Sequence, residues 1–260
     1  MSGNPRSLLL LPLRILWSVW VVSAFVATFA VLSAAGYLIP ESPRWALAVR
    51  RFSGLWGRVF LAISGIPVVV GGKARLRRIH PVVIVANHSG YLDIPIVMGS
   101  LRGDFVFLAK KEMKSWPVFG RIMRNAGHLF VDRSAATRGR IISDMKAAFR
   151  MGSSILVFPE GTFNPEDGLQ PFALGAFKAA VVGRCPILPV AIRGSRRIFR
   201  PGDFMLNPGL VRVKIGKAIP PRGRGKDEVR RLRDRARAFI LAHCGEPDGT
   251  AVPDAGGDSR

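Results

Sequence analysis

A histidine and an aspartate five residues apart are the side chains of this chain best suited to chemistry. His88 and Asp93 lie in the segment NHSGYLD at 87–93, which directly follows an apolar run at 81–86. Such a run is typical of a buried strand. A histidine can take a proton from a hydroxyl group near neutral pH, and a nearby carboxylate can orient the ring and stabilise the imidazolium. The pair predicts a general base without saying which hydroxyl it deprotonates.

The same two residues also have a purely structural interpretation. His88 could be a loop histidine with satisfied hydrogen bonds, and Asp93 could be favoured in the first turn of a helix by the helix dipole. The spacing alone leaves both interpretations open. Three further segments carry polar side chains at or beside the ends of predicted strands: GHLFVDR at 127–133, FPEGTF at 158–163 and LPVAIRG at 188–194.

The elements that must position these segments follow an α/β pattern from about residue 66. Val- and Ile-rich runs predict strands at 67–71, 81–86, 104–109, 128–132, 153–158, 186–192 and 210–215. Helical stretches between them are predicted near 91–101, 115–126, 137–151, 172–183 and 226–243. This alternation predicts an α/β fold with a mixed, largely parallel sheet covered by helices. Sites in open sheets of this kind form at the carboxyl ends of the strands.

The N-terminal part of the chain is apolar enough to meet a membrane. Residues 15–40 carry no charged side chain, and at about 1.5 Å per residue they are long enough to cross a hydrocarbon core of roughly 30 Å. The small residues at 34–36 keep a cleavable signal peptide as an alternative. We expect a retained membrane helix.

A second helix is predicted after Pro40-Glu41-Ser42-Pro43. Its apolar residues recur at helical spacing, and arginines occupy another face. The apolar set is Phe52, Leu55, Trp56, Val59, Phe60 and Ile63, and the basic set is Arg44, Arg50, Arg51 and Arg58. Such a helix suits the headgroup layer of an anionic membrane, and the alternative is a domain helix packed on the core.

These features divide the chain into three parts. We expect a membrane-associated helical hairpin over 1–65, an α/β domain over 66–244 and a disordered Gly-, Asp- and Pro-rich tail over 245–260. A full span and a hairpin in one leaflet both remain open. The larger basic load after residue 40 favours a main domain on the cytoplasmic side.

Composition points to an anionic partner. The chain has 39 Lys plus Arg against 17 Asp plus Glu, a net charge of +22, which favours nucleic acid or an acidic membrane surface. No aromatic-basic recognition motif or helix-turn-helix pattern is visible, so we expect no nucleic-acid partner. Two cysteines without motif spacing favour a reducing setting, and the histidines at 80, 128 and 243 lack metal-ligand spacing. We therefore predict no metal.

In order, spacing and content, the four segments resemble the motifs of the glycerolipid acyltransferase family, whose best-known members are lysophosphatidic acid acyltransferases. The resemblance covers roughly residues 66–220, and AKKEMKSWPVFG at 109–120 is similar to the family's stretch between its first two motifs. It implies that an acyl group passes from a thioester, on coenzyme A or acyl carrier protein, to the free hydroxyl of a lysolipid. No bound cofactor is implied.

The resemblance also implies roles for individual residues. His88 would be the general base, and Asp93 would orient it. The substrate-binding residues would be Asn87, Ser89, Lys110, Arg133, Glu160, Gly161, Thr162 and Arg193. For Arg193, substrate binding and simple solvation of a strand end stay equally open.

Direct transfer in a ternary complex is implied, because no covalent nucleophile is evident. The chain has no G-x-S-x-G elbow, Ser89 directly follows the histidine, and Cys185 precedes an apolar strand in which it would pack. A thioesterase or lipase would share the His-Asp pair but would release free fatty acid.

The third motif departs from the family pattern. Lysophosphatidic acid acyltransferases usually end it in Arg, where this chain has Phe163, and a basic residue is common where it has Ala173 and Leu174. Two charge-assisted bonds to phosphate, each contributing about 1.5–3 kcal/mol, are missing at these positions. Lysophosphatidic acid remains the first expectation for the acceptor, and another lysolipid is the alternative.

Overall fold

The fold begins with a pair of helices. In the computed structural model, which describes residues 11–76, 80–101, 104–132, 138–162 and 167–250, α1 spans Leu11–Leu38 and α2 spans Ala46–Ile63. A 3-10 turn at Pro43–Trp45 precedes α2. Helix α1 ends at Leu38 because the next residue, Ile39, precedes Pro40, and a residue before proline disfavours helical backbone. Among the described residues α1 is the one helix long and apolar enough to cross a membrane.

Seven strands form one mixed sheet. They are β1 Val68–Gly71, β2 Val83–Ala86, β3 Phe105–Lys110, β4 Leu129–Val131, β5 Ser154–Val157, β6 Ile187–Arg193 and β7 Val211–Ile215. Their order is β1-β7-β6-β2-β5-β3-β4, and every pairing is parallel except β6 with β7. The predicted mixed, largely parallel sheet is confirmed, and each predicted strand is present with ends shifted by at most two residues.

Helices connect and cover the strands. They are α3 Lys73–Leu76, α4 Asp93–Ser100, α5 Phe119–Asn125, α6 Arg138–Arg150, α7 Gly175–Gly183, α8 Ser195–Ile198 and α9 Lys226–Cys244, with a 3-10 helix at Lys111–Ser115. Each predicted helix of the domain is present. The sequence did not predict α3 and α8, because four residues are too few to show helical periodicity.

The sheet is buried on both faces. Ile84 and Ala86 of β2 pack into one hydrophobic core with the N-terminal helix pair and α4. Val83 and Val85, which point to the other face, pack into a second core with α6, α7 and α9. A central strand that is buried on both faces consists of consecutive apolar residues, and this pattern predicted β2 from the sequence.

The N-terminal helix pair packs on the domain while exposing apolar side chains. The predicted apolar stripe of α2 divides, because Trp56 and Phe60 are buried, whereas Leu55, Val59 and Ile63 are 40–47% exposed. Much of α1 is also exposed and apolar, including leucines, valines and Trp20. Part of the stripe of α2 therefore packs on the domain core and part faces outward, and the predicted membrane contact of the outward part stays a prediction.

Helix α1 contacts the α/β domain near both of its ends. Ser18 Oγ accepts a hydrogen bond from the Leu206 amide at 2.9 Å. Near the other end, Asn125 Nδ2 donates to the carbonyl oxygens of Gly36 and Ile39, both at 3.1 Å. These contacts fix α1 alongside the domain.

The segment that follows α9 is also held in place. Residues 245–250, which the sequence assigns to a disordered tail, pair with residues 168–170 by backbone hydrogen bonds. Two acidic side chains in the segment form ion pairs with arginines of the domain. Local composition did not predict this order, because it depends on arginines far away in the chain. Residues 251–260 lie outside the described part.

Candidate active site

Three parallel strands bring the predicted motifs to one edge of the sheet. Strands β2, β5 and β6 are neighbours and point the same way, so the segments after their carboxyl ends meet. Asn87 extends this arrangement beyond β2, since its side-chain amide donates to the Ile192 carbonyl at 2.9 Å and accepts from the Ile192 amide at 2.8 Å. Asn87 is buried and its side-chain amide joins the ends of β2 and β6, while its predicted substrate-binding role stays a prediction.

His88 and Asp93 form the hydrogen-bonded pair that their spacing predicted. His88 Nδ1 lies 2.9 Å from Asp93 Oδ2. The same oxygen accepts the amides of Ser89 at 2.6 Å and Gly90 at 2.9 Å. Asp93 is fully buried at the first residue of α4, whereas the His88 side chain is 14% exposed. Three donors on one oxygen fix the carboxylate, which in turn fixes the imidazole ring.

Glu160 connects the segment after β5 to the backbone of His88. Its Oε1 accepts the His88 amide at 2.7 Å, and its Oε2 accepts the Gln170 amide at 3.0 Å. Burial raises the pKa of Glu160 to about 7, although both backbone donors act in the opposite direction. Both oxygens thus accept hydrogen bonds from within the protein and hold the backbone at His88 and Gln170, while the predicted contact of Glu160 with the acceptor stays a prediction.

The turn after β5 places an aromatic ring against His88. Phe158 stacks on the imidazole with 4.3 Å between ring centroids and 23° between planes. The turn closes through the Gly161 amide, which donates to the Phe158 carbonyl at 3.0 Å, and Gly161 adopts a positive φ of 88° that favours glycine. Sequence reasoning gave no role to Phe158 or Gln170. Phe158 could have been suspected as the residue that follows a buried strand within a motif.

The other predicted site residues occupy different positions. Ser89 is buried, and its hydroxyl accepts from Asn87 Nδ2 at 3.1 Å. Thr162 and Lys110 are exposed, and Lys110 ends β3 beside the ion pair of Lys111 with Asp132. The exposed Arg193 ends β6 with its side chain along Gly245. Arg133 and Phe163 lie outside the described residues, so their predicted roles stay predictions.

Two other potentially reactive side chains, Cys185 and His128, are buried. Burial raises the pKa of the Cys185 thiol to about 11. His128 accepts the Phe107 amide at Nδ1, and burial lowers its pKa to about 3. Within the described ranges, no three His, Cys, Asp or Glu side chains come together as a metal site would require. The fold and the site thus define an α/β enzyme with a carboxylate-oriented histidine at the carboxyl edge of its sheet.

Comparison with known proteins places this enzyme in a family. The family model described as Acyltransferase matches residues 67–193. A 1-acyl-sn-glycerol-3-phosphate acyltransferase of Salmonella typhimurium is 30% identical over 209 residues, covering 80% of this chain and 84% of that protein. The human 1-acyl-sn-glycerol-3-phosphate acyltransferase beta is 31% identical over 217 residues, covering 82% and 78%. The chain belongs to the acyltransferase family, which confirms the resemblance seen in the motifs.

A solved structure confirms the fold. The crystal structure of the 1-acyl-sn-glycerophosphate acyltransferase from Thermotoga maritima has a TM-score of 0.71 to this chain at 22% identity, covering 88% of this chain and 93% of that one. The chain spans 63% of the length of the 1-acyl-sn-glycerol-3-phosphate acyltransferase alpha of Ovis aries and 84% of that of the Salmonella typhimurium protein.

Proposed function

We propose that this enzyme transfers a fatty acyl group from an acyl thioester to the free hydroxyl of 1-acyl-sn-glycerol-3-phosphate, giving phosphatidic acid, with His88 as the general base. The observation that carries the proposal is the 2.9 Å contact between His88 Nδ1 and a fully buried Asp93 at the carboxyl edge of the sheet. The names of the relatives support the acyl transfer and the acceptor.

The reaction follows from the orientation of the ring. Because Nδ1 faces Asp93, the other ring nitrogen, Nε2, takes the proton from the acceptor hydroxyl. The oxygen attacks the thioester carbonyl, the C–O bond forms, and the tetrahedral intermediate collapses as the C–S bond breaks. The imidazolium, stabilised by Asp93, returns its proton to the departing thiolate. General base catalysis of this kind contributes about 10² to 10⁴-fold.

Direct transfer without an acyl-enzyme fits the described residues. A covalent route needs an activated nucleophile. The raised pKa of Cys185 keeps its thiol protonated near neutrality. Ser89 is buried, its amide donates to Asp93, and its hydroxyl accepts from Asn87. The hydroxyl of the acceptor is then the nucleophile, and both substrates are bound at once.

The donor is proposed to be acyl-CoA or acyl-acyl carrier protein. Both are anionic thioesters, and the net charge of +22 favours association with either.

The acceptor depends on the turn after β5. The Ala173 amide donates to the Pro159 carbonyl at 2.9 Å, so position 173 adjoins the Glu160 turn, and it carries no charge. Phe163 removes a second cation that the family motif usually supplies. These two positions favour, as a second candidate, an acceptor lysolipid other than lysophosphatidic acid. If the acceptor carries a phosphate, Lys110 and Lys111 at the end of β3, together with Arg133, are the cations proposed to bind it.

The helix pair is proposed to hold the enzyme on a membrane. It exposes apolar side chains on both helices, and Arg51 and Arg58 lie exposed at the side. Ser18 and Gly36 lie about 27 Å apart along α1 at about 1.5 Å per residue, and both contact the α/β domain. A helix attached to the domain at both ends suits burial in one leaflet better than crossing the bilayer. We place the main domain on the cytoplasmic side.

A product assay tests the proposal. Purified protein in vesicles receives a labelled acyl thioester and a panel of lysolipids that differ in headgroup. Labelled phosphatidic acid from lysophosphatidic acid is the expected product. Transfer to a different lysolipid alone would support the second candidate. Release of labelled free fatty acid without transfer to any lysolipid would contradict both.

A further inference from the structure

The chain folds back on itself after its last helix. Helix α9 ends at Cys244, and Gly245 adopts a left-handed conformation with φ of 76°. The following residues then run beside the loop at 168–170. The Leu169 amide donates to the Pro247 carbonyl at 2.8 Å, and the Gly249 amide donates to the Leu169 carbonyl at 3.2 Å. Residues 245–250, here named the C-terminal strap, therefore pair with that loop.

Two acidic side chains anchor the strap. Glu246 lies 3.1 Å from Arg196 Nε, with both side chains largely buried, and its Oε2 also accepts the Gly168 amide at 3.2 Å. Asp248 receives two hydrogen bonds from Arg237, at 2.5 and 3.1 Å, which hold the pKa of its carboxyl far below the ordinary value. Arg196 lies on α8 and Arg237 on α9, so the strap is attached to two elements of the domain.

The anchored loop leads directly to the catalytic histidine. Leu169 is buried in the second core, and its carbonyl also accepts from Arg237 at 2.9 Å. The next amide, of Gln170, donates to Glu160 at 3.0 Å, and the other oxygen of Glu160 accepts the His88 amide at 2.7 Å. Between the strap and His88 lie one short loop and one carboxylate.

The close approach of strap and loop requires glycines on both sides. A Cβ on Gly168 would lie 3.0 Å from the Gly249 Cα, and Gly168 has a positive φ of 119°. A Cβ on Gly249 would lie 2.8 Å from Gln170 Nε2. The strap and its two arginines, Arg196 and Arg237, lie outside the part of the chain that the family model matches, which ends at residue 193.

We propose that Glu246 and Asp248 are positioning residues for acyl transfer: the strap they anchor presses the 168–170 loop onto Glu160 and thereby fixes His88. The role rests on the proposed function of His88, because it acts through that residue. Removing Asp248 takes the carboxylate from Arg237, and removing Glu246 takes the nearer carboxylate from Arg196, which also pairs with Asp167 at 3.8 Å. Either change loosens the strap and lets the loop move away from Glu160. Substrate contacts are untouched, so the turnover rate changes and substrate binding does not.

Kinetics of matched variants test the role. Glu246→Gln and Asp248→Asn remove one charge each and keep the side-chain shape. Asp234→Asn is the control, since Asp234 forms an exposed ion pair with Arg233 on the same helix. We expect kcat to fall about 10- to 100-fold in both strap variants, as for a small displacement of a catalytic group. KM should stay within about twofold of the wild-type value. A lower kcat with an unchanged KM indicates that the variant affects the chemical step and not substrate binding.

Hydrogen exchange on the same proteins gives a readout that does not depend on activity. In the strap variants the amides of Gln170 and His88 should exchange faster than in the Asp234→Asn control. The role would be overturned if exchange became faster at 168–170 while exchange at His88 and kcat stayed unchanged. The strap would then be a structural contact only. If the wild type transfers acyl groups to no lysolipid, the proposed function fails, whereas exchange at His88 still reports whether the strap fixes it.

Discussion

Replacing Asp93 by asparagine separates the charge of this residue from its shape. Asp93 Oδ2 accepts three N–H groups, at 2.6, 2.9 and 2.9 Å, while Oδ1 is buried without a hydrogen-bond partner among the described residues. The asparagine carbonyl can take the place of Oδ2, and its NH2 group then occupies the position of Oδ1. The loop geometry is therefore expected to survive the substitution.

The loss of charge has two consequences of different size. A hydrogen bond to a charged group contributes about 1.5–3 kcal/mol and a neutral one about 0.5–1.5 kcal/mol, so three weakened bonds cost about 3 kcal/mol of stability. In catalysis the imidazolium formed at His88 loses its counter-charge. A reduction of kcat on the order of 10² to 10⁴-fold follows, which corresponds to about 3–5.5 kcal/mol of barrier.

Acyl-transfer kinetics together with thermal melting measure both effects. Asp104→Asn is the control, because Asp104 pairs with Arg50 before β3, at the opposite edge of the sheet. Asp93→Ala should unfold more readily than Asp93→Asn, since it leaves three donors without an acceptor. A folded Asp93→Asn enzyme that keeps wild-type kcat would refute the role of the carboxylate in stabilising the imidazolium.

Three further substitutions test separate parts of the structure. Glu160→Gln should remove a pH dependence of the free energy of unfolding. Burial raises the pKa of Glu160 from 4.5 to about 7, so between these pH values the folded wild type binds more protons than the unfolded chain. The wild type therefore loses stability as pH rises through this window. Denaturant titrations should show the difference between wild type and variant changing by about 1–3 kcal/mol between these pH values, and a constant difference would contradict the burial effect. Phe163→Arg should lower KM for lysophosphatidic acid relative to lysolipids without a terminal phosphate; an unchanged preference in the acceptor panel would show that position 163 does not meet the headgroup. Asn125→Ala should destabilise the protein by about 1–3 kcal/mol, because the carbonyl oxygens of Gly36 and Ile39 lose their donor; an unaltered melting temperature in detergent would contradict the docking of α1 on the domain.

Local sequence patterns predicted the parts of the fold that depend on short segments. A strand buried on both faces must be apolar throughout, so 81–86 and 186–192 were recognisable as strands without knowledge of their neighbours. The His88–Asp93 contact was predictable for the same reason. Both residues belong to one turn between β2 and α4, and five residues of chain hold them within reach.

Contacts between distant segments were not predictable from those patterns. The spacing of apolar residues predicts neither the strand order nor the reversed direction of β1 and β7. Glu160 was placed in the acceptor region by resemblance, and only the approach of residues 88 and 170 shows that both its oxygens are occupied. The strap at 245–250 has the composition of a loose tail, and its order comes from arginines at 196 and 237.

The general-base role of His88 is tested most directly by single-turnover acyl transfer in His88→Ala. The measurement uses enzyme in excess over labelled acyl thioester, with saturating acceptor lysolipid in vesicles, so that product release does not enter the rate. The expected result is a folded, membrane-associated variant whose transfer rate falls by at least about 10²-fold, the lower end of the range for a lost general base. Transfer at the wild-type rate by His88→Ala would contradict the role of His88 as the base.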